Sequence, residues 1–131
     1  MEKNLYWSDE ENQVVQQFLQ NGFAVFSVDK PSLLEEVRTT IFNWSLDILQ
    51  MEKSPNQDDF FDNAQNFIPI AKLNDFRVQL ISRMNQDDSF KISLYQLGRT
   101  YIEQIVGNEL AIQRTCNLVI EFPEDDSSLL P

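Results

Sequence analysis

Over most of the chain, hydrophobic residues recur at intervals of three and four, the spacing that places them on one face of an α-helix. Ser8 and Ser32 are each followed three residues later by a glutamate, a capping box that predicts a helix start. Gly22 is typical of a helix end because it accepts a left-handed conformation. The pattern predicts four amphipathic helices, at residues 8–21, 32–50, 74–85 and 87–107.

Two short stretches depart from the helical spacing and predict β-strands. The first, residues 23–28, is aromatic and β-branched. The second, residues 112–122, has one mostly apolar parity and one mostly polar parity, and Pro123 ends it. The alternation predicts a strand with one face on a core and the other open to water or to a cavity. The apolar parity carries Ile112, Cys116, Leu118, Ile120 and Phe122, with Arg114 as its one charged member.

Residues 52–66 are mainly polar around the pair Phe60 and Phe61, which predicts a loop pinned by two aromatic side chains. Trp44 lies on the apolar stripe of the second predicted helix, so we expect it to pack in the core. No repeat or low-complexity segment divides the chain, and residues 1–131 are interpreted as a single domain. Helices combined with strands predict the α+β class.

The stretches FAVFSVDKP and QRTCNLVIEFPEDDSSLLP, with the helical pattern between them, resemble the N-terminal part of iron(II)- and 2-oxoglutarate-dependent oxygenases. The similar group is the phytanoyl-CoA dioxygenase-like enzymes of bacterial surface-carbohydrate gene clusters. In that group a strand and an acidic turn lead into the His-x-Asp pair that binds iron. The resemblance therefore implies that this chain is the front part of such an enzyme, and that the motif would open after Pro131.

For the fold, the resemblance implies helices packed beside the first strands of an incomplete double-stranded β-helix, a jelly-roll-like barrel. For the chemistry, it implies that the complete enzyme uses Fe(II) and 2-oxoglutarate to oxidise a small, carbohydrate-linked or other substrate. This chain on its own is expected to hold neither cofactor and to be inactive. The strands that are missing would leave an exposed sheet edge, so self-association is expected.

Gln113, Arg114 and Asn117 are the polar residues that the resemblance places beside the metal pocket. Arg114 and Asn117 are the candidate cofactor-binding residues, since a guanidinium binds an anionic cosubstrate in a bidentate manner. The residues themselves favour a plainer interpretation. A charged Arg114 on an apolar parity would pair with one of the many carboxylates, and Asn117 and Gln113 would bond to solvent or backbone.

The amino-acid composition limits the kinds of partner that the chain can bind. Ten basic and 21 acidic residues give a formal net charge of −11 among 131 residues, which disfavours nucleic acid and anionic membranes. The polar opening MEKNLYWSDEEN lacks the apolar run of a secretory signal, so we expect a cytoplasmic protein. The single cysteine, Cys116, is interpreted as a buried and inert thiol.

The chain contains no histidine, which excludes serine and cysteine triads of the usual kind and an iron site with two histidines. Carboxylate pairs are the remaining candidates for a Mg²⁺ or Ca²⁺ site, although their spacing favours solvated turns and helix caps. These pairs are Asp58 with Asp59, Asp87 with Asp88, and Asp125 with Asp126.

Three functions stay open from the sequence. The first is the oxygenase segment that the resemblance implies. The second is a small acidic binding module without catalytic activity, which engages a basic partner. The third is a remnant enzyme domain that serves only assembly.

Overall fold

A computed structural model describes residues 8–28, 30–106 and 115–122 of the chain. Of these residues 73% are helical. A short 3₁₀ turn, Ile70–Lys72, precedes the fifth helix. The six α-helices are α1 (Asp9–Asn21), α2 (Pro31–Leu49), α3 (Gln57–Asp62), α4 (Ala64–Phe67), α5 (Leu73–Gln86) and α6 (Asp88–Val106).

The predicted α+β class is wrong, because within the described residues no strand pairs with another and the fold is all-α. Residues 23–28 and 115–122, the two predicted strands, belong to no helix and to no strand, and each lies against helices. Phe26, for example, stacks on Tyr101 of α6 with ring centroids 4.0 Å apart. The expected beginning of a double-stranded β-helix is therefore absent from the described part. Residues 112–114 lie outside it.

The predicted helices are confirmed at α1, α2, α5 and α6, with small differences at their ends. Gly22 follows α1 with φ +75°, the left-handed conformation expected of it. The capping box at Ser32 is not formed. Pro31 occupies the first turn of α2, and the residue before it, Lys30, makes no side-chain cap. Proline suits this position because it has no N–H to satisfy.

The predicted loop at residues 52–66 is wrong, since it contains α3 and the start of α4. The Asn56 side chain caps α3 by accepting from the N–H groups of Asp58, at 2.9 Å, and Asp59, at 3.2 Å. Phe60 is then buried against Phe42 of α2, with ring centroids 5.4 Å apart. The asparagine cap and the buried aromatic residue both stabilise a stretch that is otherwise polar.

The core lies where α2, α5 and α6 pack on one another and α3 covers one end. Trp44 is in this core as predicted, with its ring 4.9 Å from that of Phe90. On the surface, Arg38 of α2 contacts the Asp58 carboxylate at 2.7 Å and lies over the Phe61 ring, which ties α3 to α2. The buried apolar residues are Leu33, Val37, Phe42, Phe60, Ile68, Leu73, Phe76, Leu80, Met84, Phe90 and Phe122.

The Asp87 carboxylate caps α6, where the sequence places a start signal. It accepts hydrogen bonds from the Ser89 hydroxyl at 2.5 Å and from the Phe90 N–H at 3.0 Å. These bonds, led by that of Ser89, hold the pKa of Asp87 below its ordinary value. The bonds stabilise the ionised form, so this stabilisation is present near neutral pH. It is lost as the pH falls below about 4, through the lowered pKa of the folded state.

We therefore expect Asp87→Ala to lower the melting temperature at pH 7, and the difference from the wild type to shrink as the solution is acidified. Melting curves across this pH range check the result. Asp87→Asn is the control, because it keeps an oxygen acceptor but has no charge to lose. A difference for Asp87→Ala that stays constant down to about pH 2 would show that the carboxylate charge is not involved.

Candidate functional site

Residues 115–122, named here the docked segment, form the most unusual feature of the described structure. Alternate side chains of this segment pack against the helical core, the burial pattern of an extended chain, and Phe122 is buried. The others point outward and are exposed. The inward residues are Cys116, Leu118, Ile120 and Phe122, and the outward ones are Thr115, Asn117, Val119 and Glu121. The one-sided burial that the sequence predicts is therefore present, without a sheet.

Side chains of α5 hold the backbone of the docked segment. The Asn85 amide binds Cys116 at two points: its oxygen accepts from the Cys116 N–H at 2.7 Å, and its nitrogen donates to the Cys116 C=O at 2.9 Å. Two turns earlier on α5, the Arg77 guanidinium donates to the C=O of Ile120. Asparagine and arginine thus take the place of a neighbouring strand.

The spacing of these contacts follows from the geometry of the two elements. Arg77 and Asn85 are eight residues apart, which is about 12 Å along a helix axis. Cys116 and Ile120 are four residues apart, which is about 13 Å along an extended chain. The two lengths match, so both contacts form at once and the docked segment runs antiparallel to α5.

The opposite edge of the docked segment is free. In an extended chain, the N–H and C=O groups of one residue point to one edge and those of the next residue to the other. Because Cys116 and Ile120 use the edge that faces α5, the groups of Asn117, Val119 and Glu121 point away from it. Among the described residues these groups have no hydrogen-bond partner.

A half-open groove of about 460 Å³ runs along the docked segment. Aromatic and aliphatic side chains from α2, α3 and α5 line it, and the carboxylate-bearing residues Asp62 and Glu121 belong to its lining and are exposed. Neither carboxylate is in an ion pair within the described ranges. The apolar part of the lining includes Ile41, Phe60, Phe61, Ile68, Phe76 and Leu80.

Of the predicted cofactor residues, Arg114 and Asn117, the structure describes Asn117 alone. Asn117 is exposed on the outward side of the docked segment, where it makes no hydrogen bond within the described ranges. Arg114 and Gln113 lie outside those ranges. Cys116 is half-buried, with its backbone bound by Asn85. The assignment of Arg114 and Asn117 to cofactor binding therefore stays a prediction from the sequence.

The candidate metal-binding carboxylates that the structure describes form local hydrogen bonds and ion pairs. Asp58 pairs with Arg38, Asp59 accepts from the Asn63 amide at 2.8 Å, and Asp88 pairs with Lys91 at 2.7 Å. Asp125 and Asp126 lie outside the described residues. Within the described ranges, no group of three or more histidine, cysteine or acidic side chains is arranged to hold a metal ion.

A polar network on α6 was not predicted. The Tyr95 hydroxyl, at 3.0 Å, and the Arg99 Nε, at 2.8 Å, both donate to one oxygen of Glu103. These bonds, led by that of Arg99, hold the pKa of Glu103 below its ordinary value, while desolvation and the bond to Glu103 raise the pKa of Tyr95. A general base needs a pKa near neutrality. The pKa values of Tyr95 and Glu103 are both shifted away from neutrality, so the network gives no indication of a general base.

Comparisons with known proteins add no relative, since no family model, no curated protein and no solved structure matches this chain. The oxygenase resemblance therefore stays a prediction from the sequence. Among the described helices, none combines the length and the apolar character that crossing a membrane requires.

Proposed function

We propose that this chain is the helical segment of an iron(II)- and 2-oxoglutarate-dependent oxygenase of the phytanoyl-CoA dioxygenase-like kind. Its role would be to hold the docked segment in place for the part of the enzyme that binds iron. Residues 1–131 contain no histidine, so both histidines of a site with two histidines and one carboxylate would come from a part of the enzyme outside these residues. Fe(II) and 2-oxoglutarate would be the cofactors of the complete enzyme.

The observation that carries this proposal is the way the docked segment is held. Asn85 and Arg77 bind it from one side only, and its inward residues pack on the core. Within the described residues, the outward side chains are exposed and one backbone edge has no hydrogen-bond partner. Such a segment is suited to continue into further structure, and it has the sequence on which the resemblance to the oxygenases rests.

Within this proposal, the substrate is a small molecule, carbohydrate-linked or of another kind, and the protein acts in the cytoplasm. Asn117, exposed on the outward side, and Arg114, three residues before it on the other parity, are the two candidates for binding the anionic cosubstrate once the iron-binding part is present. The net charge of −11 supports a partner other than nucleic acid or an anionic membrane.

The first test is turnover of 2-oxoglutarate. Residues 1–131, freed of metal and supplied with Fe(II), ascorbate and oxygen, are expected to form no succinate above the level of a protein-free control. Turnover that a chelator abolishes would contradict the proposal that the iron ligands lie elsewhere.

The second test is the intact mass of the endogenous product, compared with the 15.3 kDa calculated for this chain. We expect a larger mass and a peptide that carries His-x-Asp soon after Pro131. A product of 15.3 kDa without that peptide would overturn the oxygenase proposal.

A second candidate function is an acidic binding module, and one observation favours it. The groove combines an apolar lining with Asp62 and Glu121, which have no ion-pair partner among the described residues. Such a surface fits a basic and partly apolar partner without any catalysis. The mass measurement separates the two candidates, because only the oxygenase requires a longer product.

A further inference from the structure

We propose that the groove beside the docked segment binds an extended polypeptide strand, which forms a β-ladder with the free edge at Asn117, Val119 and Glu121. The strand would carry apolar side chains on the face toward the groove and basic residues at its ends. This inference deepens the proposed function, since the iron-binding part of an oxygenase would supply such a strand. It rests on the geometry of the docked segment and on no iron chemistry.

The backbone geometry selects a strand as the occupant. Three residues in alternate positions present N–H and C=O groups along one edge, in the pattern that a neighbouring strand satisfies. Among the described residues the N–H and C=O groups of Asn117, Val119 and Glu121 have no hydrogen-bond partner, so a paired strand would supply the partners that this edge lacks there. A helix could not use these groups, since its own backbone bonds are made internally.

The apolar lining of the groove indicates that the bound strand carries apolar side chains at alternate positions. Phe60, Ile68 and Leu80 are buried residues that also line the groove. Alternate side chains of a paired strand would point toward them, because paired residues in a ladder project to the same face. Valine or isoleucine at those alternate positions would extend the core.

The charges on the groove indicate which residues the bound strand carries at its ends. Asp62 and Glu121 lie on the groove without an ion-pair partner among the described residues, in a chain of net charge −11. Lysine or arginine at the ends of the strand would meet these carboxylates. The same charge opposes pairing with a second copy, which would bring like-charged surfaces together.

The test uses a fluorescently labelled peptide, acetylated and amidated, with the sequence KVTVTVK. Its valines would face the groove, and the backbone groups of its threonines would face the free edge. Binding to the full chain is measured by fluorescence anisotropy, and we expect saturable binding that weakens when salt rises from about 0.05 M to about 0.5 M. The same peptide with both threonine nitrogens methylated lacks the donors and is expected not to bind.

Variants at position 119 separate the backbone from the side chain. Val119→Pro removes the N–H from the free edge, makes no contact with α5, and keeps a φ angle suited to an extended chain. We expect it to weaken binding at least about tenfold, because the carbonyl of the strand loses its donor. Val119→Thr keeps the N–H, and binding is expected to stay within about twofold. Circular dichroism confirms that both variants fold.

Three results would overturn the inference. One is the absence of peptide binding at concentrations up to about 1 mM. Another is equal binding by the Val119→Pro variant and the wild type. The third is a dimer, detected by sedimentation, that Val119→Pro abolishes while the peptide does not bind, which would make a second copy the occupant. Peptide binding by a product of 15.3 kDa would instead leave this inference standing and remove the oxygenase proposal.

Discussion

Replacing Phe60 with alanine is expected to lower the free energy of unfolding by about 3–5 kcal/mol. The Phe60 side chain is 3% exposed and lies against three other rings, those of Phe42, Phe61 and Phe67. Removing it loses the transfer free energy of a buried aromatic and leaves a cavity that the surrounding helices fill only in part. Urea unfolding, followed by circular dichroism at the helix band, measures the change.

Phe61→Ala is the matched control, because its ring is half-buried and contacts Arg38 at the surface. Its expected loss is smaller than that of Phe60→Ala. The pair also decides between two interpretations of residues 52–66. A polar loop pinned at the surface predicts small and similar losses for both variants, and equal losses below about 1 kcal/mol would show that α3 is not part of the core.

Replacing Asn85 with alanine is expected to release the docked segment from α5 and to lower the free energy of unfolding by about 2 kcal/mol. The variant loses both hydrogen bonds to Cys116, at 2.7 and 2.9 Å, and leaves the N–H and C=O of that residue without the partners they have now. Cys116 is the one cysteine of the chain, so its thiol reports on the release. The rate of its reaction with DTNB is expected to rise.

Two further variants test whether the hydrogen bonds of Asn85 are the cause of the change. Asn85→Asp keeps an oxygen for the Cys116 N–H but has no N–H to donate to the Cys116 C=O, so its thiol should also react faster. Gln86→Ala changes an exposed neighbour that bonds only to the Ser82 hydroxyl, and neither stability nor thiol reactivity should change. An unchanged thiol rate for both Asn85 variants would mean that the apolar side chains alone hold the docked segment.

The helices could be predicted because their signals are local. Apolar residues at steps of three and four, the cap at Asp87 and the stop at Gly22 each act within one turn or two. The error at residues 52–66 has a physical cause. The signal for the start of α3 is a single residue, Asn56. The burial of Phe60 depends on Phe42, which belongs to a helix distant in sequence, so no local pattern contains this contact.

The docked segment shows why the fold class was wrong. Alternation of apolar and polar residues reports that one face of an extended chain is buried, but it does not report what satisfies the backbone. In this protein Asn85 and Arg77 do so in place of a second strand. A signal was present in the sequence, since both polar residues lie eight apart on the same side of α5. Of the candidate cofactor residues, Asn117 is exposed as an outward position predicts, and Arg114 lies outside the described structure.

The contacts from α5 also determine which changes the docked segment can tolerate. The hydrogen bonds that Asn85 and Arg77 donate or accept at Cys116 and Ile120 end on main-chain atoms, which every residue but proline presents alike, so these bonds depend on the spacing of the segment and not on its sequence. Replacements at outward positions such as Val119 leave both contacts in place. A deletion of one residue between Cys116 and Ile120 would turn the apolar side chains outward and break one contact. We therefore expect the docked segment to tolerate substitutions on its outward face, but not insertions or deletions between Cys116 and Ile120.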